Sequence, residues 1–254
     1  MGKVIALANQ KGGVGKTTTA VNLSAALAEK GKKILLIDSD AQGNATSGLG
    51  IKIEKGKQTL YNVITEEEPM SSAIVKTAYD RLYICPSNVD LSGAEIELVD
   101  MPDRAHRLKK ALTAIKNDYD FILIDCPPSL GLVTLNALAA ADTVLVPIQC
   151  EFYALEGLAL LTGTIKRVKK SINPDIEFEG ILLTMFNGRA NLSIQVADEV
   201  KRYFREKVYK TVIPRNIRLS EAPGFGESVL TYDSRSKGAE SYRALADEVI
   251  KYNR

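Results

Sequence analysis

The sequence has little of several residue types that specialised classes of protein need. Its 254 residues include no tryptophan, one histidine and three cysteines. Cys85, Cys126 and Cys150 show no C-x-x-C spacing, which argues against a disulfide framework or a zinc site, so we expect buried free thiols. The single histidine, His106, lies in a polar run, so a catalytic centre of the Ser-His-Asp or Cys-His type has no support.

Long apolar runs are also missing. No stretch approaches the roughly 20 apolar residues that cross a bilayer, and the first residues lack a signal-peptide pattern, so we expect a cytoplasmic protein. Hydrophobic residues make up 45% of the chain and charged residues 25%, which excludes a disordered or fibrous class. Together these values predict one globular domain over residues 1–254 with a sizeable core.

Short apolar runs alternate with stretches of helical periodicity. The runs are continuously apolar, as in parallel strands that are buried on both faces. The alternation predicts an α/β fold with a doubly wound, mostly parallel sheet and helices on both faces. The segment 43–59 is rich in Gly and Lys and is predicted to be a mobile loop. The predicted strands are 4–8, 34–37, 82–85, 121–124, 143–147 and 181–185, and the predicted helices are 16–29, 108–116, 132–140, 154–168 and 194–205.

A glycine-rich segment, K-G-G-V-G-K-T-T at residues 11–18, connects the first predicted strand to the first predicted helix. Glycines allow backbone N–H groups to turn toward phosphate oxygens, and the helix N-terminus adds positive potential. In such a loop Lys16 reaches the β- and γ-phosphates and the Thr17 hydroxyl is a ligand of Mg²⁺. The spacing does not match the dinucleotide motif G-x-G-x-x-G. The predicted nucleotide-binding residues here are Lys11, Gly12, Gly13, Val14, Gly15, Lys16, Thr17 and Thr18.

Three aspartates follow predicted strands at the same edge of the sheet. Asp38 and Asp40 follow the second strand, and Asp125 follows the strand 121–124. Carboxylates beside a phosphate site are suited to Mg²⁺ or to a water molecule, although each could also be a helix cap or a turn residue. Asp125 is predicted to hold Mg²⁺. The two prolines that follow it make the loop to Gly131 a candidate switch that senses the γ-phosphate.

The segment 11–18 resembles the deviant Walker A box of the family that contains ParA/Soj, MinD and the nitrogenase iron protein. Gln10 stands where the usual pattern has glycine, and Lys11 matches the family's additional lysine. The resemblance implies an ATPase that forms an ATP-dependent homodimer, in which Lys11 reaches the nucleotide of the other subunit. It also implies that Asp40 positions the attacking water and that Asp38 lies near the Mg²⁺ shell. Lys11, Lys16 and Asp40 are thus the predicted catalytic residues, and Thr17, Asp38 and Asp125 the predicted metal site. An ordinary exposed loop lysine is the alternative for Lys11.

The resemblance extends over essentially the whole chain and is strongest to the ParA/Soj proteins. It implies that Pro214 and Asn216 contact the adenine base, with Asn187 nearby. It also implies that Arg189 and Arg218 bind double-stranded DNA without sequence preference. The resemblance further implies that the protein is associated with the nucleoid and has a ParB-like partner.

The basic residues are unevenly distributed. The net charge of the chain is +2, but residues 166–218 carry twelve Lys and Arg against six Asp and Glu, a local charge of 12 − 6 = +6. This stretch is a candidate surface for a polyanion, although single charged residues of a helix are as often simply solvated.

Two relatives within the family are less consistent with the sequence. The final residues include Asp247 and Glu248 and do not resemble the membrane helix of MinD, so we expect no membrane attachment. Cys126 is not at a position where the iron protein holds its cluster. The sequence therefore favours an ATP-switched dimer that binds DNA and is released when a ParB-like partner stimulates hydrolysis. A nucleotide-gated scaffold that positions another cargo or regulates replication, with incidental hydrolysis, is the alternative.

Overall fold

The computed structural model describes residues 2–253, which form an eight-stranded sheet covered by helices. The spatial order of the strands is β3-β4-β2-β5-β1-β6-β7-β8, and β3 is the one antiparallel strand of this sheet. The mostly parallel sheet confirms the predicted fold class. The strands are β1 (Lys3–Leu7), β2 (Ile34–Asp38), β3 (Val75–Lys76), β4 (Leu82–Cys85), β5 (Phe121–Asp125), β6 (Thr143–Gln149), β7 (Glu177–Phe186) and β8 (Val208–Pro214).

Twelve α-helices connect or flank these strands in the described part of the chain, and four short 3-10 turns accompany them. The first long helix begins after Gly15 and ends just before Gly31, and both glycines have left-handed backbones, with φ of 87° and 81°. The helices are α1 (Lys16–Glu29), α2 (Asn44–Gly48), α3 (Leu60–Thr65), α4 (Met70–Ala73), α5 (Leu91–Glu97), α6 (Arg107–Thr113), α7 (Leu132–Ala140), α8 (Ala154–Ser171), α9 (Asn191–Phe204), α10 (Ile217–Glu221), α11 (Val229–Tyr232) and α12 (Lys237–Tyr252).

Two hydrophobic clusters cover the two faces of the sheet. Alternate residues of each strand point to opposite faces, so Val4 and Ala6 lie in one cluster while Ile5 and Leu7 lie in the other. Helices α3 to α9 contribute to the first cluster, and α1, α11 and α12 contribute to the second. The continuously apolar runs predicted from the sequence are thus explained by burial on both faces.

The prediction of a loop over residues 43–59 is partly wrong, because α2 occupies its beginning. Gly43 precedes this helix with a left-handed backbone, φ 63°, and Thr46 within it donates two hydrogen bonds to Asp38. The sequence signal was weak because a five-residue helix has no full period of apolar residues.

The last helix, α12, is anchored on the core. Its apolar residues Tyr242, Leu245 and Val249 are buried, and the Tyr242 hydroxyl is 3.2 Å from the Thr19 hydroxyl on α1. Glu248 accepts hydrogen bonds from the backbone N–H groups of Lys210 and Thr211 on β8. The apolar face of α12 is therefore covered within the protein. Over residues 2–253, no helix has the length and apolar character that crossing a membrane requires.

Candidate nucleotide-binding site

A glycine-rich loop joins β1 to α1 at the carboxyl edge of the sheet. Gly13 and Gly15 have left-handed backbones, φ 73° and 87°, and a side chain at Gly12 or Gly13 would meet no neighbour within 4 Å. Conformation rather than space therefore requires glycine at position 13. Two contacts fix the loop on the sheet. The Thr184 hydroxyl donates to the Val14 carbonyl at 2.8 Å, and the Asn9 amide donates to the Pro147 carbonyl at 2.8 Å.

Lys16 lies at the start of α1 with its side chain turned back into this loop. The residue is 7% exposed, and its Nζ donates to the Lys11 carbonyl at 3.2 Å. Burial lowers the pKa of Lys16, and the negative charges of Asp125 and Asp40 act in the opposite direction. A partly desolvated ammonium group beside backbone N–H groups is a strong site for an anion such as a phosphate.

Asp38 and Asp125 end the neighbouring strands β2 and β5 and are directly paired in register. Both are fully buried. The side chain of Asp38 accepts hydrogen bonds from the Thr46 N–H at 2.8 Å, the Thr46 hydroxyl at 2.7 Å and the Asp40 N–H at 3.2 Å. Among residues 2–253, no hydrogen bond of normal geometry is found to either carboxylate oxygen of Asp125. The two aspartates of the predicted metal site are thus unequal, and Asp125 is the one whose carboxylate is available to a cation.

Burial raises the pKa values of both aspartates. The pKa of Asp38 rises to about 6, and the hydrogen bonds from Thr46 act against this rise. The pKa of Asp125 lies well above the usual range because of burial and, second, the charge of Asp38, while the nearby Thr17 hydroxyl and Lys16 lower it in part. A divalent cation here would remove the cost of these two adjacent buried charges. The site therefore fits Mg²⁺ in the chemistry of its donors, which are the hydroxyl of Thr17 and carboxylate oxygens.

Asp40 and Lys11 lie at the open rim of the site. Asp40 is half-buried and accepts a hydrogen bond from the Gln42 N–H at 3.0 Å. Lys11 is exposed, and its Nζ forms an ion pair with Glu151 of the same chain at 2.8 Å. Glu151 follows β6 and is itself bound by the Gln149 amide at 2.5 Å. The sequence did not single out this partner for Lys11, because the pairing depends on the adjacency of β1 and β6.

A cavity of about 620 Å³ opens beside the glycine-rich loop. Its size is within the range of pockets that bind small ligands. Pro214 and Asn216, which are predicted to contact the base, are among the residues that line it, and Asn187 is not. The Asn187 side chain instead accepts a hydrogen bond from the Arg189 N–H. The lining residues are Gly15, Thr18, Thr184, Met185, Ile213, Pro214, Arg215, Asn216, Ile217, Leu219, Ser220, Pro223 and Tyr242.

The two arginines predicted to bind DNA have different surroundings. Arg189 is exposed in the loop after β7, and no ion pair within 4 Å is found for it among residues 2–253. Arg218 lies on α10 and pairs with Glu221 at 2.8 Å and with Asp233 at 3.2 Å. Arg189 is therefore the more available of the two for a phosphate.

Three residues in and around this site were not predicted from the sequence. Thr46 supports Asp38, Thr184 fixes the glycine-rich loop, and Glu151 holds Lys11. Thr184 had a detectable signal, since it is a polar residue inside the apolar strand β7. The cysteine interpretation is confirmed, because Cys85, Cys126 and Cys150 are all free and buried.

Known proteins resemble this chain in sequence over nearly its whole length. A family model described as AAA domain matches residues 2–178. The sporulation initiation inhibitor protein Soj of Bacillus subtilis is 57% identical over 249 residues, covering 98% of both chains. The chromosome partitioning protein ParA of Myxococcus xanthus is 53% identical over 251 residues, covering 99% of this chain and 89% of that one. The chromosome-partitioning ATPase Soj of Treponema pallidum is 50% identical over 250 residues, covering 98% of both chains.

Solved structures share the fold with less sequence identity. Cobyrinic acid a,c-diamide synthase from Mycobacterium smegmatis, with bound ADP and magnesium, has a TM-score of 0.87 and 38% identity over 99% of this chain and 95% of that one. The cell division ATPase MinD of Pyrococcus furiosus has a TM-score of 0.82 and 29% identity over 99% of both chains. Because these two names describe different activities, the fold alone does not decide the function, and the sequence relatives carry the assignment. The chain belongs to the Soj/ParA family of chromosome-partitioning ATPases.

Proposed function

We propose that the chain is an ATP-switched DNA-binding protein that drives chromosome or plasmid segregation, and that residues 1–254 act as one P-loop ATPase domain. The observation that carries this proposal is the presence, beside a glycine-rich loop, of a buried Lys16 and of a buried Asp125 for which residues 2–253 offer no hydrogen bond of normal geometry. Together they supply one group for a phosphate and one for a cation, which is what a magnesium nucleotide requires.

The nucleotide would be held by three parts of the site. Backbone N–H groups of residues 11–18 and the Lys16 ammonium bind the phosphates. Thr17 and Asp125 would hold Mg²⁺, which would neutralise charge on the phosphates, while Asp38 would lie beside them with oxygens that already accept three hydrogen bonds. The base enters the cavity that contains Pro214 and Asn216.

Hydrolysis would need two residues at the rim. Asp40 accepts a proton from, or orients, the water molecule that attacks the γ-phosphate. Lys11 leaves Glu151 and reaches the nucleotide of a second subunit, so that the ATP-bound form is a homodimer. The exposure of Lys11 and the weakness of a surface ion pair support this role, because little energy opposes its release.

The dimer would bind double-stranded DNA without sequence preference through Arg189, Arg218 and other basic residues of the segment 166–218, and would be associated with the nucleoid. Dimerisation doubles the number of phosphate contacts, so ATP controls DNA binding. A ParB-like partner stimulates hydrolysis and releases the dimer. The names of the relatives, which are chromosome partitioning proteins, support this reading.

DNA binding measured against salt concentration, with ADP and with ATP, tests the switch. We expect that ATP promotes binding, that Lys16→Ala abolishes the effect of nucleotide, and that Asp40→Ala keeps the dimer on DNA. Equal binding with ADP and ATP in the wild type would contradict the proposal.

The ATPase rate with DNA alone and with DNA plus a ParB-like protein tests the role in partition. We expect the ATPase rate to rise only when both DNA and the ParB-like protein are present. Stimulation by neither would favour the alternative, a nucleotide-gated scaffold with incidental hydrolysis, and flotation with lipid vesicles would test its MinD-like form.

A further inference from the structure

Glu95 connects α5 to the first turn of α7. Its two carboxylate oxygens accept hydrogen bonds from the Leu132 N–H at 2.6 Å and the Val133 N–H at 3.2 Å. The first N–H groups of a helix have no partner inside the helix, and their positive potential favours a carboxylate. Gly131, the N-cap residue of α7, has no side chain with which to supply this cap. Glu95, which lies 37 positions before Leu132 in the chain, supplies the cap instead.

The capped end of α7 is also the end of the loop that begins at Asp125. The backbone carbonyl of Asp125 accepts hydrogen bonds from the Ser39 N–H at 3.0 Å and the Ser39 hydroxyl at 2.6 Å, which fixes the start of the loop. Between the two ends, Pro128, Ser129 and Leu130 are exposed to solvent. The loop is thus held at Asp125 by β2 and at α7 by Glu95. The Thr134 hydroxyl on α7 also donates to the Ser129 carbonyl at 2.6 Å, so the exposed middle of the loop is tied to the position of α7.

Gly131 shows how closely Glu95 approaches the loop. A Cβ atom built on Gly131 would overlap both carboxylate oxygens of Glu95. The backbone of Gly131 is extended, with φ −79° and ψ −170°, so any residue could adopt its conformation. A larger residue here would displace the Glu95 carboxylate, because the carboxylate occupies the volume of a side chain.

We propose that Glu95 is a positioning residue for nucleotide hydrolysis, which fixes the α7 end of the Asp125–Gly131 loop so that the loop can respond to the γ-phosphate. This inference rests on the proposed ATPase mechanism. Glu95 does not contact the nucleotide cavity, so it acts through α7 and the loop. Its loss should therefore affect the hydrolytic step more than the binding of ADP.

Three single variants test the role of the carboxylate. Glu95→Ala removes both acceptors, and we expect kcat for ATP to fall about tenfold, the low end for residues that support a site indirectly. The affinity for ADP without Mg²⁺ should stay within about twofold, because the glycine-rich loop is not touched. Glu95→Gln keeps one acceptor oxygen and should fall between the wild type and Glu95→Ala. Glu97→Gln is the control, since Glu97 on the same helix accepts a hydrogen bond from the Tyr61 hydroxyl at 2.9 Å instead.

A double-mutant cycle with Gly131 makes the test independent of general damage. Gly131→Ala alone should displace the Glu95 carboxylate and lower kcat as Glu95→Ala does. In the double variant the added methyl group enters the space that the carboxylate left, so its kcat should equal that of Glu95→Ala. Additive losses would overturn the proposed coupling.

Amide hydrogen exchange separates failure of this inference from failure of the proposed function. In Glu95→Ala, exchange at Leu132 and Val133 should rise at least tenfold, with or without hydrolysis in the wild type. A wild type without ATPase activity would refute the mechanism on which the inference rests. Unchanged kcat in Glu95→Ala, or an equal loss of kcat and of ADP affinity, would overturn the positioning role itself.

Discussion

Asp38 and Asp125 lie side by side at the ends of β2 and β5, yet among residues 2–253 hydrogen bonds of normal geometry reach the Asp38 carboxylate and not that of Asp125. Three donors satisfy the Asp38 carboxylate, whereas the buried Asp125 carboxylate depends on the nearby Thr17 hydroxyl, on the charge of Lys16 and on any cation that binds. In the absence of nucleotide and Mg²⁺, Asp125 should therefore reduce the stability of the fold.

Replacement of Asp125 by asparagine tests this difference. Asp125→Asn should raise the free energy of unfolding of the nucleotide-free protein at pH 7.5 by about 1–2 kcal/mol, because it removes an uncompensated buried charge. Asp38→Asn should lower it by about 1–3 kcal/mol, because its NH₂ group cannot accept from Thr46. Urea unfolding measures both. Destabilisation of equal size by the two changes would contradict the unequal roles.

The pKa of Asp38 predicts an unusual pH dependence. Its value of about 6 in the folded protein is above its ordinary value of 3.8, so the folded state binds the proton more tightly than the unfolded state. Stability from this group is complete below pH 3.8 and is lost as the pH rises through about 6, a total of roughly 3 kcal/mol. The free energy of unfolding of the wild type minus that of Asp38→Asn should therefore decrease as the pH rises through this range. Asp80→Asn, at an exposed aspartate, serves as the control.

The ion pair between Lys11 and Glu151 predicts how release of Lys11 affects ATP-dependent self-association. Glu151→Gln removes the attraction at 2.8 Å and should strengthen ATP-dependent self-association up to about fivefold, since an exposed pair contributes at most about 1 kcal/mol. Sedimentation of an Asp40→Ala protein with ATP would measure it. Glu156→Gln on α8 serves as the control, and weaker association of Glu151→Gln would show that Glu151 supports the dimer instead.

Among the elements, β7 carries a glycine that packing requires. A Cβ atom on Gly180 would lie 2.5 Å from the ring of Tyr209, a buried side chain that stacks on Tyr252 with a ring distance of 5.7 Å. Gly180→Ala should therefore lower the free energy of unfolding by about 1–3 kcal/mol. Gly163→Ala on α8 is the matched control, because it meets no atom within 4 Å and should stabilise the helix by about 0.5–1 kcal/mol. Thermal unfolding of both variants distinguishes packing from a general effect of alanine.

The sequence predicts elements well where a local pattern is strong. The bounds of α1 and α7 are as predicted, and a glycine immediately precedes each helix and marks its start. β3 was missed because it has two residues, and β7 begins four residues earlier than predicted because Glu177 and Glu179 interrupt its apolar pattern. The glycine-rich loop and Asp125 were placed by their motifs. The contacts of Glu95, Thr46 and Glu151 could not be predicted, since each joins segments that only the folded sheet brings together.

For the whole molecule, the charge distribution predicts how DNA binding depends on salt. Two basic residues of the segment 166–218 are paired within it, Lys169 with Glu177 and Arg202 with Glu199, and the local charge of +6 already includes these pairs. Arg189→Ala should reduce the slope of log affinity against log salt by about 2 in the ATP-bound dimer, one for each copy. Arg218→Ala should reduce it less, because Glu221 and Asp233 already hold its guanidinium. Equal slopes for both variants and the wild type would exclude these arginines from the interface.

The strand order also matters for a chain that is still being synthesised. β1 leaves the ribosome early, but its neighbours in the sheet, β5 and β6, follow more than a hundred residues later, and Thr184, which fixes Val14, later still. An unfinished chain therefore contains the sequence of the glycine-rich loop before the strands and the Thr184 contact that fix its conformation have been made. Because a ligand stabilises only the state that binds it, ATP in the cell would favour completed chains over truncated ones.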